Sequence, residues 1–140
     1  MHLHLQNWRV LQTSKKVPVV IATMIQDFLA QLEYYIPSDA YWSVLTEYLV
    51  GEQIAGLKMK STAGWAGTSN GNISSEFNSL HGSCFLNGNF KYISDYGDWW
   101  SSTKNSTENT WSRNLDYDLL RFIRYYHNKY DCFSVRCNRD

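Results

Sequence analysis

His81 and His127, the thiols of Cys84 and Cys132, and the carboxylates of Glu47, Glu76, Asp95, Asp98, Asp116 and Asp118 are the side chains that could serve as nucleophile, acid or base. Covalent catalysis needs a nucleophile held against a base that a third group orients, and none of these residues stands in a short motif that fixes such a pair. A hydrolase built from Cys84 or Cys132 with His127 would have to be assembled by the fold alone, with no sequence sign of thiol activation. A calcium site wants clustered carboxylates and amides, and Asp95, Asp98, Asp116 and Asp118 could meet only if loops bring them together. Zinc is served no better, because the sequence has neither a Cys-x-x-Cys pair nor a histidine cluster. The chain is therefore read as non-catalytic, with no catalytic residue, no metal ligand and no cofactor.

Binding chemistry is better represented. Over 111–118, Trp111, Arg113, Leu115 and Tyr117 alternate with Ser112, Asn114, Asp116 and Asp118, which in a strand sets a large-residue face for packing against a polar one. Trp99-Trp100-Ser101-Ser102-Thr103 before it and Phe133-Ser134-Val135-Arg136-Cys137 after it read as buried strands. Between them, residues 118–131 carry Leu119, Leu120, Phe122, Ile123, Tyr125, Tyr126, His127 and Tyr130 with no period of two or 3.6 and no Gly or Pro, the pattern of a displayed surface rather than a regular core element. Exposed Tyr and Leu beside Arg and His make an apolar patch able to hydrogen-bond, as in protein-binding paratopes. The expected ligand-binding set is Ser112, Asn114, Asp116, Asp118, Leu119, Leu120, Arg121, Ile123, Tyr125, Tyr126, His127 and Tyr130, with help from Asn87, Asn105 and Asn109.

The strings YGDWWSST at 96–103, WSRNLDY at 111–117 and FSVRC at 133–137, with Ile36-Pro37-Ser38-Asp39-Ala40-Tyr41-Trp42, Ala55-Gly56-Leu57-Lys58-Met59-Lys60, Gly64-Trp65 and Phe77-Asn78-Ser79-Leu80 upstream, resemble the signature of the Fibrobacter succinogenes major paralogous (FISUMP) domain. The resemblance covers 36–140 and implies an α+β, C-type-lectin-like domain with an early core helix, small antiparallel sheets and long ordered loops; 1–35 is read as an atypical N-terminal segment. It also implies an exported or cell-surface module. The related formylglycine-generating enzymes use a pair of active-site cysteines that this sequence lacks, so the resemblance carries no activity across. Framework positions Leu115, Tyr117, Arg124, Lys129 and Phe133 keep the family's residue types, while the Asn- and Ser-rich display positions between them have become Tyr, His, Ile and Leu. That pattern resembles the variable proteins of diversity-generating retroelements, which use C-type-lectin-like folds to present a randomised ligand site. The resemblance thus implies a non-catalytic recognition domain for a protein or cell-surface ligand through 112–131. The alternatives are a carbohydrate-binding module stacking sugars on Tyr125, Tyr126 or Trp111, and a structural subunit of a cell-surface assembly.

The frame that must position these residues is legible in part. The Pro37-Ser38-Asp39 start, the stripe Trp42, Leu45, Leu49 and the closing Gly51 predict a capped core helix. From Ser61 to Gly97 the Gly, Ser, Asn and Thr content predicts long loops pinned by Trp65, Phe77, Leu80, Phe85 and Phe90. Trp8 to Val19 reads as a strand, and Ile21, Ile25, Phe28, Leu29 and Leu32 predict a helix over 22–34 whose apolar face would pack on the domain or on a second copy, a route to oligomers. Composition sets the outer limits: 13 basic and 13 acidic side chains cancel, leaving no single-sign field to draw nucleic acid. No apolar run of about 18 residues predicts membrane insertion, and the first residues lack the pattern of a secretory signal. Cys84, Cys132 and Cys137 cannot all pair within one chain. Cys132 and Cys137, on opposite faces if the chain is extended, lie about 16 Å apart, out of disulfide range. In the resembled family the counterpart of Cys137 often bonds a cysteine before the Pro-Ser-Asp helix, and this chain has none before Cys84. Three reduced thiols are expected.

Overall fold

The computed structural model describes residues 17–18, 34–72, 74–75, 77–86 and 89–139. Helix α1, Asp39–Tyr48, begins as its sequence requires: Ser38 is extended, and its hydroxyl accepts the Tyr41 N–H at 3.1 Å. Trp42, Leu45 and Leu49 are buried along one stripe. The turn after α1 takes two positive-φ residues rather than one, Val50 at 77° and Gly51 at 95°, and Gly51 leads directly into α2, Glu52–Met59. Helix α2 is unannounced in the sequence because it has no side-chain cap, a glycine at its centre and only Ala55, Gly56 and Met59 buried.

The helices cover one face of an antiparallel sheet. Its strands are β1 (Val17–Pro18), β3 (Gly82–Leu86), β4 (Asn89–Lys104), β5 (Asn109–Asp116), β6 (Phe122–Asn128) and β7 (Cys132–Phe133), in the spatial order β1-β7-β3-β4-β5-β6. A separate ribbon pairs β2 (Tyr34–Tyr35) with β8 (Asn138–Arg139). On the helix-covered face, Trp99, Leu115 and Phe122 join Trp42, Leu45, Met59, Trp65 and Phe77 in the main core. Arg136 closes it from behind, its guanidinium 3.5 Å from the centre of the Phe77 ring and donating to the Phe77 carbonyl at 2.6 Å. Among the described residues, two helices and small antiparallel sheets make the fold α+β.

The sequence motif WWSST has a definite task in this frame. Between Trp100 and Lys104, β4 spends four residue steps against two of β5, so Ser101 to Thr103 bulge out of the ladder. The bulge grips the start of α1: the Ser102 N–H donates to the Pro37 carbonyl at 3.0 Å and the Thr103 hydroxyl accepts the Asp39 N–H at 3.0 Å.

Several expectations are corrected. The predicted loop region 61–97 contains the β3–β4 hairpin, and Leu80 is 45% exposed rather than a buried pin, while Trp65 and Phe77 are buried. Residues 118–131 are not irregular throughout, since Phe122–Asn128 within them pairs with β5 without a bulge and Phe122 is fully buried. Apolar alternation is missing there because both faces of β6 receive large side chains. The strand expected over 133–137 ends at Phe133, beyond which Ser134 makes a single parallel bridge to Trp99. Of the strand expected over 8–19, only Val17 and Pro18 are described, and both are in β1. The helix expected over 22–34 lies outside the described residues except for Tyr34, which is in β2.

Candidate recognition site

Strand β6 is the last strand of the sheet, and its alternation divides the predicted binding residues between two faces. Trp111, Arg113, Arg124 and Tyr126 share the helix-covered face. There Arg113 is buried and donates to the Asp39 carboxylate at 2.8 Å, to its carbonyl at 3.0 Å and to the Ser43 hydroxyl at 2.9 Å. Arg124 reaches the other oxygen of the same carboxylate at 2.8 Å, with its guanidinium 3.4 Å from the centre of the Trp111 ring. Tyr126 meets Trp111 edge-on at 5.9 Å and is 47% exposed. The polar first turn of α1 thus anchors the edge of β5 and β6 from below.

The opposite face holds an open cleft of about 450 Å³, within the roughly 300–1,000 Å³ range of small-ligand sites. Asp98, Asn114 and Ile123 form one part of its lining, Tyr125, His127 and Phe133 a second, and Tyr92 with Tyr96 a third. Asn114 donates to the Asp98 carboxylate at 2.8 Å. His127 packs edge-to-face on Phe133 at 4.5 Å and lies 5.0 Å from the Tyr125 ring, while Trp100, fully buried, supports Phe133 at 4.5 Å. Ser112 is fully buried and hydrogen-bonds His127 Nδ1 at 3.0 Å, so it orients the imidazole from behind rather than facing solvent.

The remaining predicted residues lie elsewhere. Asp116 is half-buried at the end of β5, and burial, reinforced by Asp118, pushes its carboxyl up. Leu119, Leu120 and Arg121 form the β5–β6 connection and are held against α2. Lys60 Nζ donates to the Tyr117 and Leu119 carbonyls at 3.1 and 2.7 Å, the Leu57 N–H donates to the Leu120 carbonyl at 3.2 Å, and Arg121 pairs with Glu52 at 2.8 Å. Gly56 is required at this contact, since a β-carbon there would stand 2.5 Å from the Arg121 carbonyl oxygen. Leu120 still presents 49% of its surface, and Tyr130, in the turn after β6, 83%. Asn105 and Asn109 flank the β4–β5 turn, with the Asn105 N–H donating to the Asn109 carbonyl at 3.0 Å; Asn87 is outside the described residues. Tyr92, Tyr96, Asp98 and Phe133 were absent from the predicted set. Only the β4 pairing register could have found Tyr92 and Tyr96, because the composition of 82–97 reads as loop; Asp98 reads in the sequence only as a catalytic or calcium-binding carboxylate and Phe133 only as part of a buried strand.

For the candidate catalytic groups, the Ser112–His127 contact is the one hydroxyl–imidazole pair among the bonds described. Burial pushes the His127 imidazole down to about 4, which makes it a weak base at neutral pH. His81 packs edge-on against Trp65 at 6.2 Å. Cys137 is a buried free thiol, and burial pushes it up to about 11. Among the described residues no group of three His, Cys, Asp or Glu is placed to hold a metal, and no helix is long and apolar enough to cross a membrane.

His127 carries a pH signature. Its folded-state value lies below the ordinary histidine value of about 6.5, so between those limits the unfolded chain binds the extra proton. Stability should therefore fall as pH drops from about 6.5 towards 4, with the His127 share exhausted below that. Melting temperature against pH should be flatter in that window for His127→Gln than for the parent. Parallel curves would show that the imidazole is not desolvated.

Compared with known families, residues 26–139 match the Fibrobacter succinogenes major domain. The chain belongs to this family. No curated protein and no solved structure matches it. In this Fibrobacter succinogenes major domain, the blocks around Pro37, Gly56, Trp99 and Arg113 coincide with the parts that lock α1, α2, β4 and β5 together.

Proposed function

We propose that the domain is a non-catalytic recognition module that binds a protein or cell-surface ligand through β6, its flanking turns and the cleft beside it. One observation carries the reading: Leu120, Tyr125, Tyr126 and Tyr130, all within residues 120–130, are 47–83% exposed. The exposed parts of such rings add nothing to the stability of a monomeric domain, whereas at an interface they give rigid, amphipathic contact at low entropic cost. Their frame is fixed on both sides, by the Asp39–Arg113–Arg124 cluster and by the Lys60 and Arg121 anchors. A C-type-lectin-like architecture, export to the cell surface and diversification by a retroelement fit the same reading. A reverse transcriptase gene nearby, with an adenine-rich repeat matching the coding region for 109–137, would support that last element.

The test replaces Leu120, Tyr125, Tyr126 and Tyr130 with Ser together. Exposed substitutions usually change stability by no more than about half a kcal/mol each, so cooperative melting should persist close to that of the parent. Screened against arrays of cell-surface proteins and glycans, the parent should bind ligands that the fourfold variant loses, since truncating a central Tyr in a desolvated contact costs about 2 kcal/mol or more. Binding retained in full by the variant would overturn the proposal.

A further inference from the structure

The lining of the cleft is mainly aromatic with one carboxylate, and among the described residues no lysine or arginine is part of it. Tyr92 and Tyr96 form one corner, their ring centres 4.9 Å apart and their planes at 73°. Residues four apart in an extended strand are separated by about 13 Å, so this corner needs a special backbone. It has one: five residue steps of β4, from Lys91 to Tyr96, stand against two of β3, and Tyr92 and Ser94 inside the bulge take φ of 60° and 70°. Positive φ at a tyrosine is strained, and such strain concentrates where a ligand is held. Across the cleft stand the ring of Tyr125 and the edge-to-face pair of His127 and Phe133. At its polar side the Asp98 carboxylate is fixed by Asn114 at 2.8 Å.

From this arrangement we infer that the cleft is a cage for an alkylated ammonium group, with Tyr92, Tyr96 and Tyr125 as walls and Asp98 as the counter-charge. A quaternary ammonium cannot donate a hydrogen bond and is costly to strip of water unless π faces and a carboxylate replace that water. Perpendicular tyrosines beside an aspartate supply both. The neutral imidazole of His127 adds a ring to the wall without adding repulsion. This inference rests on the reading of β6 and its cleft as a recognition surface, and it deepens that reading by naming the chemistry of one ligand group.

The experiment titrates the full chain with choline and with 3,3-dimethylbutan-1-ol, the neutral molecule of the same shape, following tyrosine fluorescence and NMR shifts. Choline is expected to saturate and the neutral isostere to bind at least about tenfold more weakly, the order expected of a desolvated cation–π contact. Tyr96→Leu and Asp98→Asn should each weaken choline by a similar factor. Tyr125→Leu, at a half-exposed position where substitution is expected to cost little stability, provides the same comparison if the β4 variants are unstable. Two further arms, a trimethyl-lysine peptide and phosphatidylcholine vesicles, assign the group to a protein or a lipid source. Equal binding of the isostere, or no saturable choline binding, would overturn the cage. The recognition reading fails by a different result, full ligand binding by the fourfold serine variant, so the two outcomes are separable.

Discussion

Asp39→Ala is expected to lower stability by about 3–5 kcal/mol, the cost of leaving a buried partner charge uncompensated. Its carboxylate takes Arg113 on Oδ1 at 2.8 Å and Arg124 on Oδ2 at 2.8 Å, with Arg124 Nε also reaching Oδ1 at 3.1 Å. The two arginines are not equivalent. The Arg113 side chain is 3% exposed, and burial pulls its guanidinium down while the Asp39 charge and hydrogen bond oppose that pull; the Arg124 side chain is 42% exposed. Removing Asp39 therefore strands a desolvated cation at the junction of α1 and β5, whereas Arg124→Ala removes a solvent-screened partner and should cost no more than about 1 kcal/mol. Adding Arg113→Met to Asp39→Ala should recover part of the loss, because the stranded charge goes with it. Urea denaturation of the three variants decides the matter. Equal small effects for Asp39→Ala and Arg124→Ala would mean that the cluster is solvated and does not hold the edge of the recognition surface.

That cluster also marks how far the sequence could be read. The N-terminal cap of α1 and its stripe are local features, written within a few residues and set by backbone hydrogen-bonding needs, so they were legible at Pro37, Ser38 and Trp42. The alternation at 111–117 placed Leu115 and Arg113 on a packed face, yet Ser112 and Thr110 opposite them are also buried. The reason is that β5 is an interior strand, with β4 and β6 on either side and the cleft aromatics on its second face. Non-local pairings were the illegible part. The β4 bulge that brings Tyr92 onto Tyr96 depends on the register with β3, and the Gly, Ser and Asn content of the surrounding 82–97 mimics a loop. Phe122 and Tyr125 look alike in a run of large residues, and only the pairing of Leu115 with Phe122 and of Ser112 with Tyr125 sends one into the core and the other to the surface.

Trp100→Ala should be the second large loss, about 3–5 kcal/mol, as for other buried aromatic truncations. Trp100 is fully buried on the cleft face of β4, opposite Ser112, with its ring 4.5 Å from Phe133 and 6.5 Å from His127. Phe133 belongs to the short strand β7, which touches the rest of the sheet through few ladder pairs, so this packing is a large share of what holds it. A cavity at Trp100 would loosen β7 and admit water behind His127. The imidazole should then titrate closer to its ordinary value of about 6.5 instead of about 4, a shift readable by NMR even in the destabilised variant. Trp100→Phe, which keeps a ring over Phe133, should lose less than the alanine variant and leave the imidazole low. Tyr125→Ala, on the same face but 53% exposed, should lie within about half a kcal/mol of the parent. If Trp100→Ala and Tyr125→Ala prove equally mild, the cleft has no packed floor, and the rings around it cannot be held in the fixed geometry that selective binding requires.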